Sequence, residues 1–155
     1  MRSVKDIEAY LDRMNRTFRS APGTTETFLV SSGEKYPAVA LRVDPPLVVL
    51  RVRIGNVPDE PLELFRKMLQ FNARELVHSS YGVDEGHILL SSALELENLD
   101  YNELEAALDE IDLALAQQVP ALAALSPEQR ARAPRTQEPG AKQPSATPPT
   151  KQDPH

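Results

Sequence analysis

The side chains that could carry out chemistry are three histidines, two serine pairs and several groups of carboxylates. His78, His87 and His155 lack the i, i+4 spacing by which two histidines on a helix bind one metal ion. The pairs Ser79–Ser80 and Ser91–Ser92 are not framed by the G-x-S-x-G pattern of a hydrolase nucleophile. The chain has no cysteine, which excludes thiolate catalysis, disulfides and cysteine-bound metal clusters.

Carboxylates are the most abundant candidates for acid/base chemistry, which requires two of them to face one cleft with separated pKa values. Most of those in the second half lie on the polar side of a predicted helix, where they would be solvated. Asp84-Glu85-Gly86 lacks the alternating oxygen ligands of an EF-hand loop, and no Gly-rich phosphate loop is present. We therefore expect a protein that is not an enzyme and binds no cofactor or metal. A carboxylate enzyme using Asp84 and Glu85 is the least favoured alternative.

The net charge of −6 is distributed unevenly along the chain. Residues 75–125 contain 11 acidic residues and no lysine or arginine, whereas residues 1–74 contain 12 basic and 9 acidic residues. A segment of this composition repels nucleic acid and anionic lipid, and it attracts basic partners. We expect no nucleic-acid or membrane partner. A recruiting role for this acidic surface and a purely solubilising role both remain open.

Three amphipathic helices are predicted from apolar spacing and capping signals. The first starts at Ser3, has Asp6 in the capping-box position and stops at 21–23. Its stripe comprises Val4, Ile7, Tyr10, Leu11, Met14 and Phe18. The second opens at 59–61 and runs to about Val77, and the third starts at Asp100 with Glu103 in the capping-box position.

Five strands are predicted between these helices, over 28–30, 39–43, 48–54, 79–83 and 87–94. The second and third alternate apolar and polar residues and are separated by Asp44-Pro45-Pro46, which indicates an antiparallel hairpin. The element order α-β-β-β-α-β-β-α predicts an α+β domain with an antiparallel sheet packed by helices. The domain covers residues 1–125. Residues 126–155 hold 7 of the 14 prolines and no large aliphatic or aromatic residue, which predicts a disordered Pro-rich tail.

Apolar residues in excess of one buried face occur in the second helix and in the last strand. In the second helix, Leu62, Phe65, Met68, Leu69, Asn72 and Leu76 form the predicted buried face. Leu64 and Phe71 lie away from that face, and Leu89 lies on the second face of its strand. Surplus apolar surface on a small domain marks an interface, and a symmetric homodimer is the commonest way to cover it. We assign Leu64, Phe71 and Leu89 to a dimer interface. Coverage of these side chains by the first helix is the alternative.

The segment 68–111 resembles the YbjN domain and its relatives, the type III secretion chaperones of the Tir chaperone (CesT) kind. The matching parts are Phe71-Asn72-Ala73, Tyr81-Gly82, the Asp84-Glu85-Gly86 turn, Ile88-Leu89-Leu90, and Leu96-Glu97-Asn98-Leu99 followed by the acidic last helix. The Pro-rich tail is not part of the secretion-chaperone pattern, and the YbjN branch, linked to sensory transduction and stress regulation, is the nearer of the two.

The resemblance implies a chaperone-like fold that dimerises and binds an extended, non-globular segment of another protein. Such a segment would pair with an exposed sheet edge or place apolar side chains in grooves beside the first helix. The predicted partner-binding residues are Leu11, Met14 and Phe18 of the first helix and Val39 and Leu41 of the strands. Plain core packing is the alternative for every one of these positions.

A different class of function is an accessory structural subunit of a larger assembly, tethered by the tail. The N-terminus has no signal-like apolar run, and no stretch approaches the roughly 20 apolar residues of a membrane span. We therefore expect a cytoplasmic, chaperone-like or regulatory adaptor that binds an extended or basic protein segment.

Overall fold

The first helix, α1 (Val4–Arg13), is shorter than its apolar stripe predicted. The computed structural model describes residues 1–125, so the predicted tail (126–155) lies outside the described residues. Ser3 and Asp6 form the predicted capping box, in which the Ser3 N–H donates to the Asp6 carboxylate at 2.7 Å. This backbone hydrogen bond lowers the pKa of Asp6.

The prediction that α1 continues to Phe18 is wrong. Met14 caps the helix, and Asn15 has a φ of 56°, which turns the chain out of the helical path. Phe18 therefore belongs to a short strand, and its 3–4 spacing from Met14 does not reflect a shared helix face.

Within residues 1–125, six strands form one fully antiparallel sheet in the order β1-β2-β3-β4-β6-β5, one strand more than the sequence predicted there. Their bounds are β1 Phe18–Ser20, β2 Thr27–Val30, β3 Val39–Asp44, β4 Leu47–Asn56, β5 Ser79–Asp84 and β6 His87–Glu95. The predicted β3–β4 hairpin is confirmed, and its turn contains a cis peptide bond between Pro45 and Pro46.

The core lies on one face of the sheet. Phe28, Leu41 and Leu50 lie directly opposite one another in successive strands and are buried. The next rows place Val48 opposite Val43 and Val52 opposite Leu90. Side chains from the helices complete this core, and they include Ile7, Leu11, Leu104, Leu108, Ile111 and Leu115. No helix of the described residues, 1–125, packs on the other face, which we call the open face.

The helix α2 (Leu62–Arg74) turns a different side to the core from the one predicted. Leu64, Met68 and Phe71 are buried, whereas Leu62 and Leu69 are exposed. Both sets of residues have helical spacing, so periodicity alone could not separate them. The prediction that Leu64 and Phe71 lie away from the buried face is wrong.

The last helix, α3 (Tyr101–Ala123), confirms the predicted start. The Asp100 side chain accepts from the Glu103 N–H at 2.8 Å, and the Glu103 side chain accepts from the Asp100 N–H. The predicted stripe is buried along most of its length. Within residues 1–125, no helix is both long enough and apolar enough to cross a membrane.

Candidate partner-binding surfaces

Strand β1 forms one edge of the sheet, and its outward backbone groups are free. The Ser31 N–H donates to the Thr17 carbonyl and the Ala21 N–H donates to the Thr27 carbonyl, so alternate residues from 17 to 21 face β2. Phe18 and Ser20 therefore direct their N–H and C=O groups away from the sheet. Within residues 1–125 these groups have no hydrogen-bond partner.

Phe18 gives this edge an apolar side chain. It is half-buried against the core, and its ring meets the Phe28 ring edge to face at 5.7 Å between centroids. An added strand would gain backbone hydrogen bonds at β1 and an apolar contact with Phe18.

Strand β5 forms the opposite edge, and side chains from two helices occupy its outward groups. The Asn72 amide accepts from the Tyr81 N–H at 2.7 Å and donates to the Tyr81 carbonyl at 3.1 Å, as a neighbouring strand would. The Glu110 carboxylate accepts from the N–H groups of Val77, His78 and Ser79 at 3.0, 3.0 and 2.8 Å. Most of this edge is therefore closed to a further strand.

Behind the same edge lies a buried hydrogen bond between β5 and α3. The Tyr81 hydroxyl donates to Gln118 Oε1 at 2.8 Å, and Gln118 Nε2 donates to Glu75 at 3.3 Å. Burial raises the pKa of the Tyr81 hydroxyl far above its ordinary value, and the charge of Glu75 raises it further. The neutral hydroxyl is thus the form that the folded chain holds.

An apolar strip lies on the outer side of α2. Leu62 and Leu69 are 67% and 66% exposed, Phe65 is half-buried between them, and Val83 at the end of β5 is 48% exposed. Phe65, Leu69 and Val83 line one shallow depression together with Met68 and Tyr81. We call Leu62, Phe65, Leu69 and Val83 the α2 strip. Sequence reasoning placed its helical members on the buried face and so missed it.

The acidic side of α3 is largely engaged within the domain. Arg16 forms ion pairs of 2.8 Å with both Asp109 and Asp112. Glu110 binds the three backbone groups already described. Tyr101 donates to Glu105 at 2.6 Å, and this hydrogen bond raises the pKa of Tyr101. Glu95 and Glu97, which precede the helix, have no such partner among residues 1–125.

The predicted partner-binding residues fall into two groups. Leu11, Val39 and Leu41 are fully buried in the core, so no part of them is available on the surface of the described chain. Met14 and Phe18 are half-buried against the core, and Phe18 lies in the edge strand β1. A partner contact at any of the five stays a prediction.

The predicted dimer residues are not brought together on one surface. Leu64 and Phe71 are buried against the sheet, and Leu89 is half-buried on the open face. Their role in self-association stays a prediction.

Histidines and carboxylates do not assemble into a metal-binding group within residues 1–125. His87 Nδ1 lies 3.0 Å from Asn56 Oδ1, and the backbone N–H of His78 donates to Glu110.

Comparison with known proteins gives one family and several similar structures. The family model CesT_Tir_1 matches residues 1–128. A search of curated proteins finds no match. Among solved structures, YbjN from E. coli aligns with a TM-score of 0.61 and 9% identity over 77% of this chain and 92% of that one.

Two complexes are also similar. The heterodimeric ExoU–SpcU complex from the type III secretion system of Pseudomonas aeruginosa contains a chain that aligns with a TM-score of 0.59 and 19% identity, over 74% of this chain and 95% of that one. The HopA1–SchA chaperone–effector complex gives 0.52 and 14%, over 74% and 87%. At these identities the likeness is one of fold.

Proposed function

We propose that this chain, which belongs to the CesT_Tir_1 family, is a non-enzymatic, chaperone-like protein that binds an extended segment of a partner at the β1 edge. The observation that carries the proposal is the row of outward backbone groups at Phe18 and Ser20 that have no partner within residues 1–125. The likeness to a chain of a chaperone–effector complex supports it. A cytoplasmic location is part of the same proposal.

Strand addition at β1 predicts which substitutions abolish partner binding. Proline at Ser20 removes an outward N–H without removing a ladder hydrogen bond, because that N–H does not face β2. Ser20→Ala is the matched control, since it changes the same exposed side chain and keeps the outward N–H.

The experiment uses the full chain as bait in native lysate, with bound proteins identified by mass spectrometry. We expect a partner that the wild type and Ser20→Ala retain and Ser20→Pro loses. Equal recovery by both Ser20 variants would contradict binding at β1. The partner segment protected from proteolysis in the complex should then bind as a synthetic peptide with the same ranking.

The exposed α2 strip supports a homodimer as the finer form of this function. Four apolar side chains in one patch at the end of the sheet form a surface that a second copy can cover. We expect the double variant Leu62→Glu, Leu69→Glu to be monomeric by light scattering. Leu113 is 56% exposed on α3, so Leu113→Glu is the control that should leave the dimer intact. A monomeric wild type would contradict the dimer.

The two carboxylates before α3 support a basic partner segment. Glu95 and Glu97 are exposed and form no ion pair within residues 1–125, so they are free to attract cations. Replacing both by glutamine should weaken binding of the recovered partner at low salt more than at high salt. Binding that does not respond to salt would contradict a basic segment there.

A further inference from the structure

The open face of the sheet carries four arginines that we call the arginine band: Arg19, Arg42, Arg51 and Arg53. In the register of the sheet, Arg19 and Arg51 lie in one cross-strand row with Leu29 and Ala40 between them. Arg42 is opposite Val49, in the next row on one side of Arg51. Arg53 is opposite Leu89, in the next row on the other side of Arg51. Three of the four arginines are therefore near neighbours on β3 and β4.

The charge of the band is mostly uncompensated. Arg42 has one exposed ion pair with Asp44 at 3.0 Å, and Arg53 donates to Asn56 at 3.1 Å. Arg19 and Arg51 form no ion pair within residues 1–125. Arg42 and Arg51 are diagonal cross-strand neighbours, and Arg51 and Arg53 are two residues apart on β4, so their like charges favour the binding of an external anion. All four residues of the band are arginines, and a planar guanidinium group can bind one carboxylate through two parallel hydrogen bonds.

Acidic side chains limit the band at both ends of the strands. Asp44 and Glu95 lie in one row, on either side of Leu47, so two carboxylates mark the end of the basic surface there. Asp84 is opposite His87 at the other end. The basic rows between Val49 and Arg53 span about 13 Å at about 3.3 Å per residue. This width accommodates one helix of about 10–12 Å, whereas a flat anionic membrane would also meet the acidic rows.

The apolar residues of the open face define the remaining chemistry. Leu29, Val49 and Leu89 are half-buried between the arginines, so they offer apolar contact beside the charges. No phenylalanine or tyrosine of the described strands lies on this face, so it has no platform on which nucleic-acid bases could stack.

We propose that the arginine band binds an acidic, amphipathic helix of a partner protein, with its carboxylates on Arg42, Arg51 and Arg53 and its apolar residues on Leu29, Val49 and Leu89. The band lies on the face of the sheet and not on its edge, so this proposal does not depend on strand addition at β1.

The test uses the full chain and a synthetic helical peptide of about 18 residues with glutamates on one side and leucines on the other. A twin peptide with lysine in place of every glutamate is the ligand control. Arg51→Glu, Arg53→Glu is the test variant, Arg51→Gln, Arg53→Gln is the milder one, and Arg66→Glu on α2 is the matched exposed control. Fluorescence anisotropy measures affinity, and circular dichroism confirms folding.

We expect the acidic peptide to bind the wild type, Arg66→Glu and Ser20→Pro within about twofold of one another. The charge-reversed double variant should bind at least about tenfold more weakly, and the glutamine pair should fall between. NMR shifts should map to Leu29, Val49 and Leu89. Equal binding of the lysine twin, or an equal loss in Arg66→Glu, would overturn the proposal.

Other occupants give different outcomes. One such outcome is that an oligoribonucleotide or phosphatidylglycerol vesicles displace the acidic peptide at a lower concentration than unlabelled peptide does. That result would overturn the proposal of a protein partner in favour of a phosphate-bearing ligand. A change in oligomeric state caused by the arginine variants would overturn it in favour of a second copy of the chain.

Discussion

At the β5 edge, side chains from α2 and α3 bind outward backbone groups of Ser79 and Tyr81, whereas at the β1 edge the outward groups of Phe18 and Ser20 have no partner within the described residues. Exposed edge strands readily pair with other chains, and proteins usually block them. Here Asn72 and Glu110 block the β5 edge only. The difference between the edges indicates that an added strand would pair with β1. Substitutions at the β5 edge should therefore change stability, and substitutions at β1 should change binding.

The largest effect is expected from Glu110→Ala. Loss of the carboxylate leaves three N–H donors of the α2–β5 connection without their acceptor, which should lower the free energy of unfolding by about 3 kcal/mol. Urea unfolding measures the change. Glu97→Ala removes an exposed carboxylate and should have almost no effect. A loss from Glu110→Ala that matches this control would show that the β5 edge is not held by α3.

A smaller loss, about 2 kcal/mol, is expected from Asn72→Leu, which keeps the side-chain size but leaves the Tyr81 N–H and C=O unpaired. Hydrogen exchange at the Tyr81 amide should accelerate. The opened edge should also promote self-association, visible by light scattering as species larger than the wild type. Gln70→Leu on the same helix is the exposed control. An unchanged hydrogen-exchange rate at Tyr81 would mean that Asn72 does not protect the β5 edge, and the two edges would then not differ as described.

Tyr81→Phe should cost about 1 kcal/mol at pH 7, because Gln118 loses its buried hydroxyl partner. The raised pKa of Tyr81 fixes the sign of the pH dependence. Below about pH 10 the hydroxyl is neutral in both the folded and unfolded chain; above it the unfolded chain ionises first. The advantage of the wild type over Tyr81→Phe should shrink above pH 10 by at most about 1.4 kcal/mol per pH unit. Parallel chemical denaturation of both proteins measures this, and a constant difference up to pH 11.5 would contradict it.

The smallest stability effect is expected at β1, where Ser20→Pro should cost less than about 1 kcal/mol. Arg19→Pro, one residue earlier, removes an N–H that faces β2 and should cost about 3 kcal/mol. Thermal and urea unfolding of the pair measure the alternation directly. Similar losses for both variants would mean that Ser20 is not directed outward.

Local signals in the sequence were sufficient for much of the fold. The capping boxes at Ser3 and Asp100 and the β3–β4 hairpin depend on neighbouring residues, and all three are confirmed. Strand β1 was missed because three residues, one of them apolar, are too short to show alternation. Phe18 extended a helical period by coincidence.

The binding surfaces were harder to predict because they depend on which groups are already paired. The acidic run around α3 is plain in the sequence, but its partners are Arg16, 93 residues away from Asp109, and backbone N–H groups about 30 residues away. The two stripes of α2 have equal periodicity, and only packing decides that Leu64 is buried and Leu62 exposed. Edge status is a property of the assembled sheet.

The strand order also determines how the domain emerges during synthesis. Each of the strands β1 to β3 pairs with the next one in sequence, so the four-stranded meander β1 to β4 can form as soon as residues 18–56 are available. Its apolar face, which includes Leu41 and Leu50, stays exposed until α3 is synthesised, about 50 residues later in the chain. We expect the nascent domain to pass through an intermediate whose exposed apolar face is covered only when translation reaches the last helix.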